Sequence, residues 1–596
     1  MCGIGITIKT ISTSCSEITG HINPEETGDN SNQESSTIED SIWRSISPRG
    51  MGTIYPPKKH YSPFKVVYLT YRSRFSTTHE PGDQQSSNQA DFEINFFVSV
   101  LHLRGLTLTQ QPIRASETGN LLLWNGEIFD GLSAMIDSLL CCTFRRNKIT
   151  DVENDGQAVL YALENRGNRT IPGVFLGIEG PYAFIYHDVS LNQIWFGRDP
   201  LGRRSLMRLE EGDSSQRSTI SLASHYDGQA TLRSSELATD SFFYVDLNNA
   251  ESLCTIEIPR GSPPIILNRQ IPLDLNTSLR RRLVNISTLY QTDAHDSKVA
   301  ILFSGGLDCT TLALLAHSHI PLTESIDLVN VAFENTRAAA NSKRSNNQTA
   351  NPDVFSVPDR RTGEESWKEL CQLTPGRIWR FVEVDVRIVD YLKYKDQIIE
   401  LMWPNDTVMD LSIAAALFFA AWGIGSCRLN PNSDECIPSY SCPARVFLSG
   451  LGADELLGGY SRHRSAFTSE SPWPNLIEEL QLDIDRIPTR NLGRDDRIIA
   501  HHGREVRYPF LDRDVILFLA NLPVHLKCDL SLKKGTGDKL LLRVLAQELG
   551  LSQASQLVKR AIQFGARSAK LEGLEKGTAQ VRLNGLPSST THVDTP

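Results

Sequence analysis

The sequence lacks the features that mark membrane and secreted proteins. No uninterrupted apolar run approaches the roughly 20 residues that a membrane span requires, and residues 1–6 have no basic region of a signal peptide. The eleven cysteines are scattered and odd in number, and they show no doubled C-x-x-C spacing, which favours a reducing compartment. We therefore expect a cytoplasmic protein with no membrane partner.

An excess of positive charge is also missing. The 596 residues include 60 basic and 70 acidic side chains, which gives a net charge of -10. This balance offers no broad electrostatic footprint for nucleic acid, although a local basic groove for a phosphate-bearing ligand is compatible with it. Hydrophobic residues at 40% and charged residues at 22% are typical of globular domains, which excludes a disordered, collagen-like or coiled-coil chain.

Helix signals are scarce in about the first 260 residues, where short β-rich segments dominate. These segments mix alternating patterns with continuous apolar runs, as stacked antiparallel sheets do. One helix is predicted at residues 157–166, because Asn154 and Asp155 can cap its N terminus. The predicted strands are residues 3–9, 65–70, 94–101, 121–124, 182–187, 193–197 and 242–246.

The pattern changes at about residue 278, where strands begin to alternate with helices. Such alternation predicts an α/β domain in which a parallel sheet is covered on both faces. The predicted helices are residues 278–289, 310–317 and 412–422, and the predicted strands are residues 299–303, 328–333 and 446–448.

Three polar segments interrupt these patterns, at residues 12–41, 337–361 and 426–443. Each has too little apolar surface to offset its ordering entropy, so we interpret all three as surface insertions. The predicted organisation is an N-terminal domain at residues 2–265, a C-terminal domain at residues 270–570 and a flexible tail at residues 571–596.

A Ser-Gly-Gly turn links the predicted strand at residues 299–303 to the helix that follows. Ser304, Gly305 and Gly306 precede that helix, so unpaired backbone N–H groups and the positive end of the helix dipole face one concavity. Glycines let an anion approach the backbone closely, and Asp308 can hold Mg²⁺ or a bound water. The segment predicts a pyrophosphate site, with an ordinary strand-to-helix turn as the alternative. It is neither a Walker A loop nor a dinucleotide-binding loop.

Cys2 would become the N-terminal residue on removal of Met1. Its thiol and its α-amine would then lie on one residue, and such an amine is suited to act as a general base near neutral pH. Taken alone, a cysteine at position 2 is more often incidental than catalytic.

Further motifs resemble the asparagine synthetase family, which joins a class II glutamine amidotransferase domain to an ATP-pyrophosphatase domain. They follow one another in family order over nearly the whole chain outside the insertions and the tail. The N-terminal motifs are residues 1–4, 48–50, 101–104, 111–112, 124–128, 154–155, 180–184 and 196–206. The C-terminal motifs are residues 304–308, 448–455, 458–460 and 505–512. Within the family, the eukaryotic asparagine synthetase domain-containing branch is resembled by residues 490–497, 539–543 and 559–565.

This resemblance implies an α+β, four-layer αββα Ntn-hydrolase fold with stacked antiparallel sheets, followed by an α/β ATP-pyrophosphatase domain with a parallel sheet. It implies that the Cys2 thiol attacks the glutamine amide and that Asn125 and Gly126 form the oxyanion hole. Arg49 would bind the glutamine α-carboxylate, and Asp155 its α-ammonium group. Taken singly, Arg49 is also compatible with a surface charge, Asn125-Gly126 with a hairpin turn and Asp155 with a helix cap.

For the C-terminal domain, the resemblance implies a ligase of asparagine biosynthesis that adenylates aspartate with ATP and Mg²⁺ and then transfers ammonia to it. Ser304, Gly305, Gly306 and Asp308 would bind ATP or pyrophosphate. Asp308 and Asp454 would hold Mg²⁺, with a substrate contact as the alternative role of Asp454. The expected partners are therefore glutamine, aspartate and ATP.

Two positions depart from the family pattern. Leu451 replaces a glutamate associated with acyl transfer, and it cannot relay a proton or contact an ammonium group. Ala561 stands where the family has a lysine, and Lys559 and Arg560 could substitute for that lysine only if the loop shifts. Two alternatives therefore stay open. One is a synthetase-deficient paralogue with a regulatory or scaffolding role, and the other is a glutaminase coupled to a different acyl acceptor.

Overall fold

A computed structural model of the chain describes residues 3–11, 64–74, 91–101, 109, 111–132, 154–211, 219–226, 232–248, 253–261, 275–284, 286, 296–335, 353–468, 470–571, 579 and 581. Contacts divide the described residues into two units. The first contains those of Met1–Ile265 and Leu492–Arg497, and the second those of Ile266–Asn491 and Ile498–Val581. Cys2, Arg49 and the predicted insertion at residues 12–41 lie outside the described residues.

The first unit contains two six-stranded antiparallel sheets. The first sheet consists of β1 (Gly3–Ile11), β2 (Phe64–Arg74), β3 (Asp91–Leu101), β8 (Met207–Glu211), β9 (Thr219–Ala223) and β10 (Leu232–Glu236). The second consists of β4 (Ile113–Arg114), β5 (Leu121–Gly126), β6 (Tyr182–Asp188), β7 (Gln193–Arg198), β11 (Ser241–Asp246) and β12 (Thr255–Pro259). Their strand orders are β10-β8-β9-β1-β3-β2 and β12-β11-β7-β6-β5-β4.

Strand β6 is buried along its whole length, and its alternate residues belong to two different cores. Ala183 and Ile185 join the core between the two sheets. Tyr182, Phe184 and Tyr186 join a second core with helices α1 (Asp155–Glu164) and α2 (Ile171–Phe175). Burial of both faces explains why the sequence of this strand is a continuous apolar run rather than an alternating one.

The predicted elements of the N-terminal half are confirmed, since all seven predicted strands lie within strands of the two sheets. The predicted helix is α1, and the Asn154 side chain caps it by accepting hydrogen bonds from Gly156 N–H and Gln157 N–H. Strands β4, β8, β9, β10 and β12 are not among the predicted strands. In β8, β10 and β12, charged and hydroxyl side chains obscure the β pattern. The described residues before Ile265 form two helices, and the four-layer arrangement stays a prediction.

The second unit is built on a seven-stranded sheet in the order β17-β16-β15-β14-β13-β18-β19. Its strands are β13 (Val299–Leu302), β14 (Ile326–Phe333), β15 (Trp379–Val386), β16 (Ile424–Arg428), β17 (Cys436–Ser441), β18 (Val446–Leu448) and β19 (Glu505–Arg507).

Thirteen further helices are described from residue 275 onward. They are α3 (Leu275–Leu283), α4 (Leu307–His317), α5 (Pro358–Leu373), α6 (Ile388–Met402), α7 (Val408–Trp422), α8 (Ala453–Leu457), α9 (Ser461–Phe467), α10 (Pro472–Ile487), α11 (Gly493–His501), α12 (Arg513–Asn521), α13 (Val524–Lys527), α14 (Leu540–Glu548) and α15 (Ile562–Gly565). Shorter 3₁₀ turns cover Pro509–Leu511, Ala554–Gln556 and Ser568–Lys570, and a π turn covers Pro488–Leu492. No helix among the described residues is both long and apolar enough to cross a membrane.

The predicted parallel sheet is corrected to a mixed sheet. Strands β15, β14, β13, β18 and β19 are parallel, as predicted, but β16 and β17 form an antiparallel hairpin at the edge beside β15. This hairpin lies in the segment that we interpreted as an insertion because it is poor in apolar residues. Main-chain hydrogen bonds to β15 organise the hairpin without requiring a large apolar surface.

The other predictions for this half are confirmed in position but not always in length. Helices α3, α4 and α7 and strands β13, β14 and β18 match the predicted elements. Helix α5 begins at Pro358, inside the predicted insertion at residues 337–361, and Pro is favoured in the first turn of a helix. Of the predicted tail, Leu571, Ala579 and Val581 are described, and the Ala579 carbonyl accepts a hydrogen bond of 2.8 Å from Val408 N–H.

The order of the parallel strands determines where a ligand site can form. From β13 the chain adds β14 and β15 on one side and β18 and β19 on the other. The carboxyl ends of β13 and β18 therefore lie side by side where the direction of winding reverses, which is the usual ligand position in open α/β sheets. The loops that begin at Phe303 and Ser449 follow these two ends.

Candidate functional site

Asn125 and Gly126 are the last two residues of β5, where the strand emerges from the second sheet of the first unit. The Gln111 side chain makes two hydrogen bonds with the backbone of Trp124, the residue before Asn125. Its amide N–H donates to Trp124 O at 2.8 Å, and its oxygen accepts from Trp124 N–H at 2.8 Å. This paired contact replaces a strand partner and fixes the end of β5.

The peptide bond after Gly126 is held on both sides. Trp124 Nε1–H donates to Gly126 O at 3.0 Å, and Glu127 N–H donates to Pro181 O at 2.9 Å. A Cβ atom on residue 126 would lie 2.5 Å from Pro181 O, so only glycine fits this close approach. The turn predicted to form an oxyanion hole is thus rigid.

Asp155 contacts the same turn from the first residue of α1. Its Oδ2 accepts a hydrogen bond of 2.8 Å from Ile128 N–H, two residues after Gly126. The helix cap is Asn154 and not Asp155, since the Asn154 side chain accepts the N-terminal hydrogen bonds. The structure therefore brings Asn125, Gly126 and Asp155 together, while the predicted Cys2 and Arg49 lie outside the described residues.

In the second unit, the Ser-Gly-Gly turn connects β13 to α4 as predicted. Gly305 has φ +75°, and a Cβ there would lie 2.4 Å from Thr362 O. Ser366 Oγ–H donates to Gly305 O at 2.7 Å, which fixes the turn against α5. Gly306 is the N-cap of α4 and provides no side-chain cap for the first turn of that helix. The turn thus directs helix N–H groups outward, as an anion site requires.

The loop after β18 packs directly against this turn. A Cβ on Gly450 would lie 3.0 Å from Asp308 Cβ, so the backbone of the loop packs closely against the Asp308 side chain. Gly452 has φ +102° and is the N-cap residue of α8, which carries Asp454 and Glu455. Glu455 accepts from Gly452 N–H at 2.9 Å and from Tyr460 Oη–H at 2.7 Å. These bonds hold α8 with Asp454 facing Asp308.

Four charged side chains of alternating sign connect the two loops. Lys539 Nζ lies 2.6 Å from Asp308 Oδ2 and 2.7 Å from Asp454 Oδ1. Lys559 Nζ forms a further ion pair with Asp454 Oδ2. We call this set, Asp308, Lys539, Asp454 and Lys559, the charge chain. Gly459 makes room for it, because a Cβ there would lie 1.9 Å from Asp454 Oδ1.

The protonation states follow from burial and from these contacts. Burial raises the pKa of Asp308, against the opposing effect of the Lys539 ammonium group. Burial would likewise raise the pKa of Asp454, but Lys539 and Lys559 together hold it below its usual range. Desolvation would lower the pKa of Lys539, yet the two carboxylates raise it. At neutral pH Asp454 is therefore ionised and Lys539 is protonated.

The two lysines were not assigned to the site by the loop motifs. Lys539 is 231 residues from Asp308, and it lies in a segment that we had matched to the family without giving it a role. The sequence signal for it is the glycine-rich approach, Gly535-Thr536-Gly537-Asp538-Lys539, which precedes a helix. Lys559 is a member of the charge chain through its ion pair with Asp454. Ala561 is the N-cap residue of α15 and carries no charge.

A second acidic group lies close to the turn. Asp359, at the start of α5, is buried against Gly565, where a Cβ would lie 1.9 Å from its Oδ1. Arg560 Nη1 lies 3.4 Å from Asp359 Oδ1. Burial raises the pKa of Asp359 to about 7, although Arg560 opposes this shift. Asp359 is therefore a partly protonated acid at neutral pH, beside residues that support the Ser304–Gly306 turn.

The oxygen atoms of Asp308 and Asp454 are compatible with Mg²⁺. Both carboxylates already approach a single cationic atom, Lys539 Nζ, within 2.7 Å, and carboxylate oxygens are the ligands that Mg²⁺ prefers. Among the residues described, no three His, Cys, Asp or Glu side chains group together as a metal site.

Comparison with known proteins identifies the family. The family model described as "Asparagine synthase" matches residues 469–556, which include Lys539. The mouse protein "Asparagine synthetase domain-containing protein 1" is 34% identical over 597 residues, with coverage of 82% of this chain and 92% of the relative. A Saccharomyces cerevisiae relative, "Asparagine synthetase domain-containing protein YML096W", is 34% identical, with coverage of 83% of this chain and 87% of the relative. This chain belongs to the asparagine synthetase domain-containing protein family.

Proteins that are named as synthetases are more distantly similar to this chain. A putative glutamine-hydrolysing asparagine synthetase of Methanocaldococcus jannaschii is 23% identical, and it covers 70% of this chain and 67% of its own length. Among solved structures, the glutamine phosphoribosylpyrophosphate amidotransferase from B. subtilis complexed with ADP and GMP is 14% identical. Its TM-score is 0.21, and the match covers 42% of this chain and 54% of that chain. The likeness to that structure is too small to inform the site.

Proposed function

We propose that this asparagine synthetase domain-containing protein is a glutamine-hydrolysing, ATP-dependent amidotransferase of the asparagine synthetase type. The observation that carries this proposal is the charge chain beside the Ser304–Gly306 turn. Helix N–H groups and two ammonium groups are suited to bind the pyrophosphate part of ATP. The carboxylates of Asp308 and Asp454 are suited to hold Mg²⁺, which would neutralise charge on the phosphates when bound.

In the second unit, a side-chain carboxylate oxygen of aspartate would attack the α-phosphorus of ATP. The bond between the α and β phosphates breaks, and pyrophosphate leaves. Lys539 and Lys559 would stabilise the negative charge that develops on this leaving group. Ammonia then attacks the acyl carbon, AMP leaves, and the proton released from nitrogen passes to solvent or to a nearby base.

In the first unit, the Cys2 thiol would attack the amide carbon of glutamine, with the α-amine of Cys2 as proton carrier. The oxyanion that forms would be stabilised by Asn125 Nδ2–H and Gly126 N–H. Arg49 would bind the α-carboxylate of glutamine, and Asp155 its α-ammonium group. Ammonia leaves, and water hydrolyses the thioester to glutamate and free Cys2. The rigid turn and the position of Asp155 support these roles, and the roles of Cys2 and Arg49 rest on the family resemblance.

A reconstituted reaction tests the proposal. Protein whose Met1 has been removed, as verified by mass spectrometry, is incubated with glutamine, aspartate, ATP and Mg²⁺. We expect glutamate, asparagine, AMP and pyrophosphate. The Cys2→Ala variant should lose the reaction with glutamine and retain it with ammonium chloride. If neither nitrogen source gives AMP or asparagine, the synthetase proposal fails. Release of glutamate would then favour a glutaminase with a different acyl acceptor, and its absence a regulatory or scaffolding role.

Leu451 favours a second candidate, a glutaminase coupled to a different acyl acceptor. Its side chain is partly exposed in the turn that joins β18 to α8, and its N–H lies 3.3 Å from Ser449 Oγ. An aliphatic side chain there cannot bind the ammonium group of an amino-acid acceptor. The Leu451→Glu variant should then gain aspartate-dependent AMP formation that the wild type lacks. Wild-type protein already fully active on aspartate would exclude this candidate.

A further inference from the structure

The two lysines of the charge chain are presented by different segments of the second unit. Lys539 precedes α14 and has a left-handed backbone conformation, with φ 54° and ψ 35°. Lys559 follows the 3₁₀ turn Ala554–Gln556. Both ammonium groups must be placed within ion-pair distance of one carboxylate, Asp454, although neither segment is part of a sheet.

One buried guanidinium group connects these two segments. Arg543, one turn after Lys539 in α14, is 5% exposed. Its Nε–H donates to Asp538 O at 2.7 Å, and its Nη2–H donates to Asp538 Oδ2 at 2.5 Å. Its Nη1 donates to Ser555 O at 2.7 Å and to Leu557 O at 2.9 Å.

Three of these hydrogen bonds end on backbone carbonyls and the fourth on the Asp538 side chain, all in the segments that lead into the two lysines. Asp538 is the residue before Lys539, and Leu557 is two residues before Lys559. The two segments also pack together, because a Cβ on Gly535 would lie 3.0 Å from Val558 Cγ2. A planar fork of five donors can make all of these bonds in a fixed arrangement, and a lysine ammonium group cannot.

We propose that Arg543 is a positioning residue that fixes the separation of the Lys539 and Lys559 ammonium groups around Asp454. Arg543 itself is held away from the charge chain by its four carbonyl and carboxylate acceptors. It thus acts through the backbone of the two lysine segments. This inference rests on the proposed function only in the experiment that measures pyrophosphate binding.

A matched control is available in the same unit. Arg377 is 6% exposed, and its guanidinium group donates to Pro321 O at 2.7 Å, to Glu324 O at 2.6 Å and to His317 O at 3.0 Å. These contacts are at the C-terminal end of α4, whereas the Ser304–Gly306 turn is at its N-terminal end. Arg377→Gln therefore removes a comparable buried network without disturbing either lysine segment.

The first measurement is the rate at which Lys559 is acetylated by acetic anhydride at pH 7.5, followed by mass spectrometry with exposed Lys368 as internal reference. In wild type the ion pair with Asp454 protects Lys559. We expect R543Q to increase the relative rate of Lys559 by about tenfold, because its ammonium group is then no longer held beside Asp454. R377Q should leave it unchanged. An unchanged rate in folded R543Q overturns the proposal.

The second measurement is binding of inorganic pyrophosphate with Mg²⁺ by titration calorimetry on the full chain. R543Q should bind at least about tenfold more weakly than wild type, and R543K should recover only part of the affinity. Full recovery by R543K would overturn the proposal, because charge alone would then suffice. If R543Q does not fold, R543K decides the question by both measurements. If wild type binds no pyrophosphate, the proposed function of this unit fails, and the acetylation rates still decide the role of Arg543.

Discussion

Lys539 Nζ lies 2.6 Å from Asp308 Oδ2, although 231 residues separate the two in the sequence. The Lys539 side chain is 3% exposed, so protein carboxylates rather than water neutralise its charge. A buried pair of this kind contributes to stability only while both members are present, because removal of one leaves an uncompensated charge. The same pair holds the segment after the Ser304–Gly306 turn and the start of α14 together.

Replacement of Lys539 by methionine should therefore destabilise the protein and abolish pyrophosphate binding. The side-chain stem is retained, but Asp308 and Asp454 lose their common partner. We expect the free energy of unfolding to fall by about 3–5 kcal/mol at pH 7.5, measured by urea denaturation. The loss should shrink toward pH 5, since protonated carboxyl groups need no counter-charge.

Lys298→Met is the matched control for this experiment. Lys298 forms an ion pair of 2.7 Å with Glu324, but the two side chains are 19% and 17% exposed. Its loss should cost no more than about 1 kcal/mol, because solvent screens such pairs. Equal losses in the two variants would contradict the importance that we give to burial of the Lys539 pair.

Asp359 predicts a pH dependence of stability. Its pKa is raised to about 7 by burial, so between about pH 4 and about pH 7 the folded state binds a proton that the unfolded state has released. Stability from this group is present below about pH 4 and is lost as the pH rises toward 7. The Asp359→Asn variant should thus gain relative to wild type over this window, by up to about 4 kcal/mol, in urea denaturation at a series of pH values.

The Arg560→Gln variant tests the same group by raising the pKa of Asp359 further instead of removing the carboxyl group. Arg560 lowers the pKa of Asp359, so its removal should raise that pKa further. The loss of stability would then continue to a higher pH than in wild type. A stability difference between Asp359→Asn and wild type that does not change with pH would contradict the assignment.

Asn125→Ala should reduce the hydrolysis of glutamine by about 10²–10³ in kcat, the usual effect of one missing oxyanion donor. Release of glutamate measures this rate, and the ammonia-dependent reaction should be unaffected. Asn165→Ala is a suitable control, because the Asn165 side chain is exposed and donates only a local hydrogen bond to Tyr161 O at 2.9 Å. A similar loss in both variants would point to general damage of the first unit.

Asp155→Asn separates a binding role from a structural one. The amide oxygen can still accept from Ile128 N–H, so stability should change by less than about 0.5 kcal/mol. The negative charge is lost, and the KM for glutamine should rise by about 10–100-fold, the value of a charged hydrogen bond. An unchanged KM would mean that Asp155 only supports the turn after Gly126.

The local parts of the site could be predicted from the sequence. The Ser304–Gly306 turn follows from a buried strand, two glycines and a helix start, all within a dozen residues. The rigid turn at Gly126 was likewise marked by its motif, although its contacts to Pro181 and Trp124 were not. Patterns of this kind report the neighbours of a residue along the chain.

The charge chain could not be predicted in this way. Asp308, Lys539, Asp454 and Lys559 meet because four segments that are distant in the sequence pack together, and no periodicity encodes that pairing. The left-handed backbone conformation of Lys539 could not be predicted either, because lysine rarely adopts it. The edge hairpin of β16 and β17 was missed for another reason, since its stability comes from main-chain bonds rather than from an apolar face.

The double burial of β6 limits how the first unit can change. A shift of this strand by one residue in register would move the tyrosines at 182 and 186 into the core between the sheets, and Ala183 and Ile185 into the core beside the helices. The Tyr182 hydroxyl, which now donates to Phe175 O at 3.2 Å, would then face aliphatic side chains. We therefore expect the length of β6 to be far less tolerant of insertion and deletion than its individual side chains are of replacement.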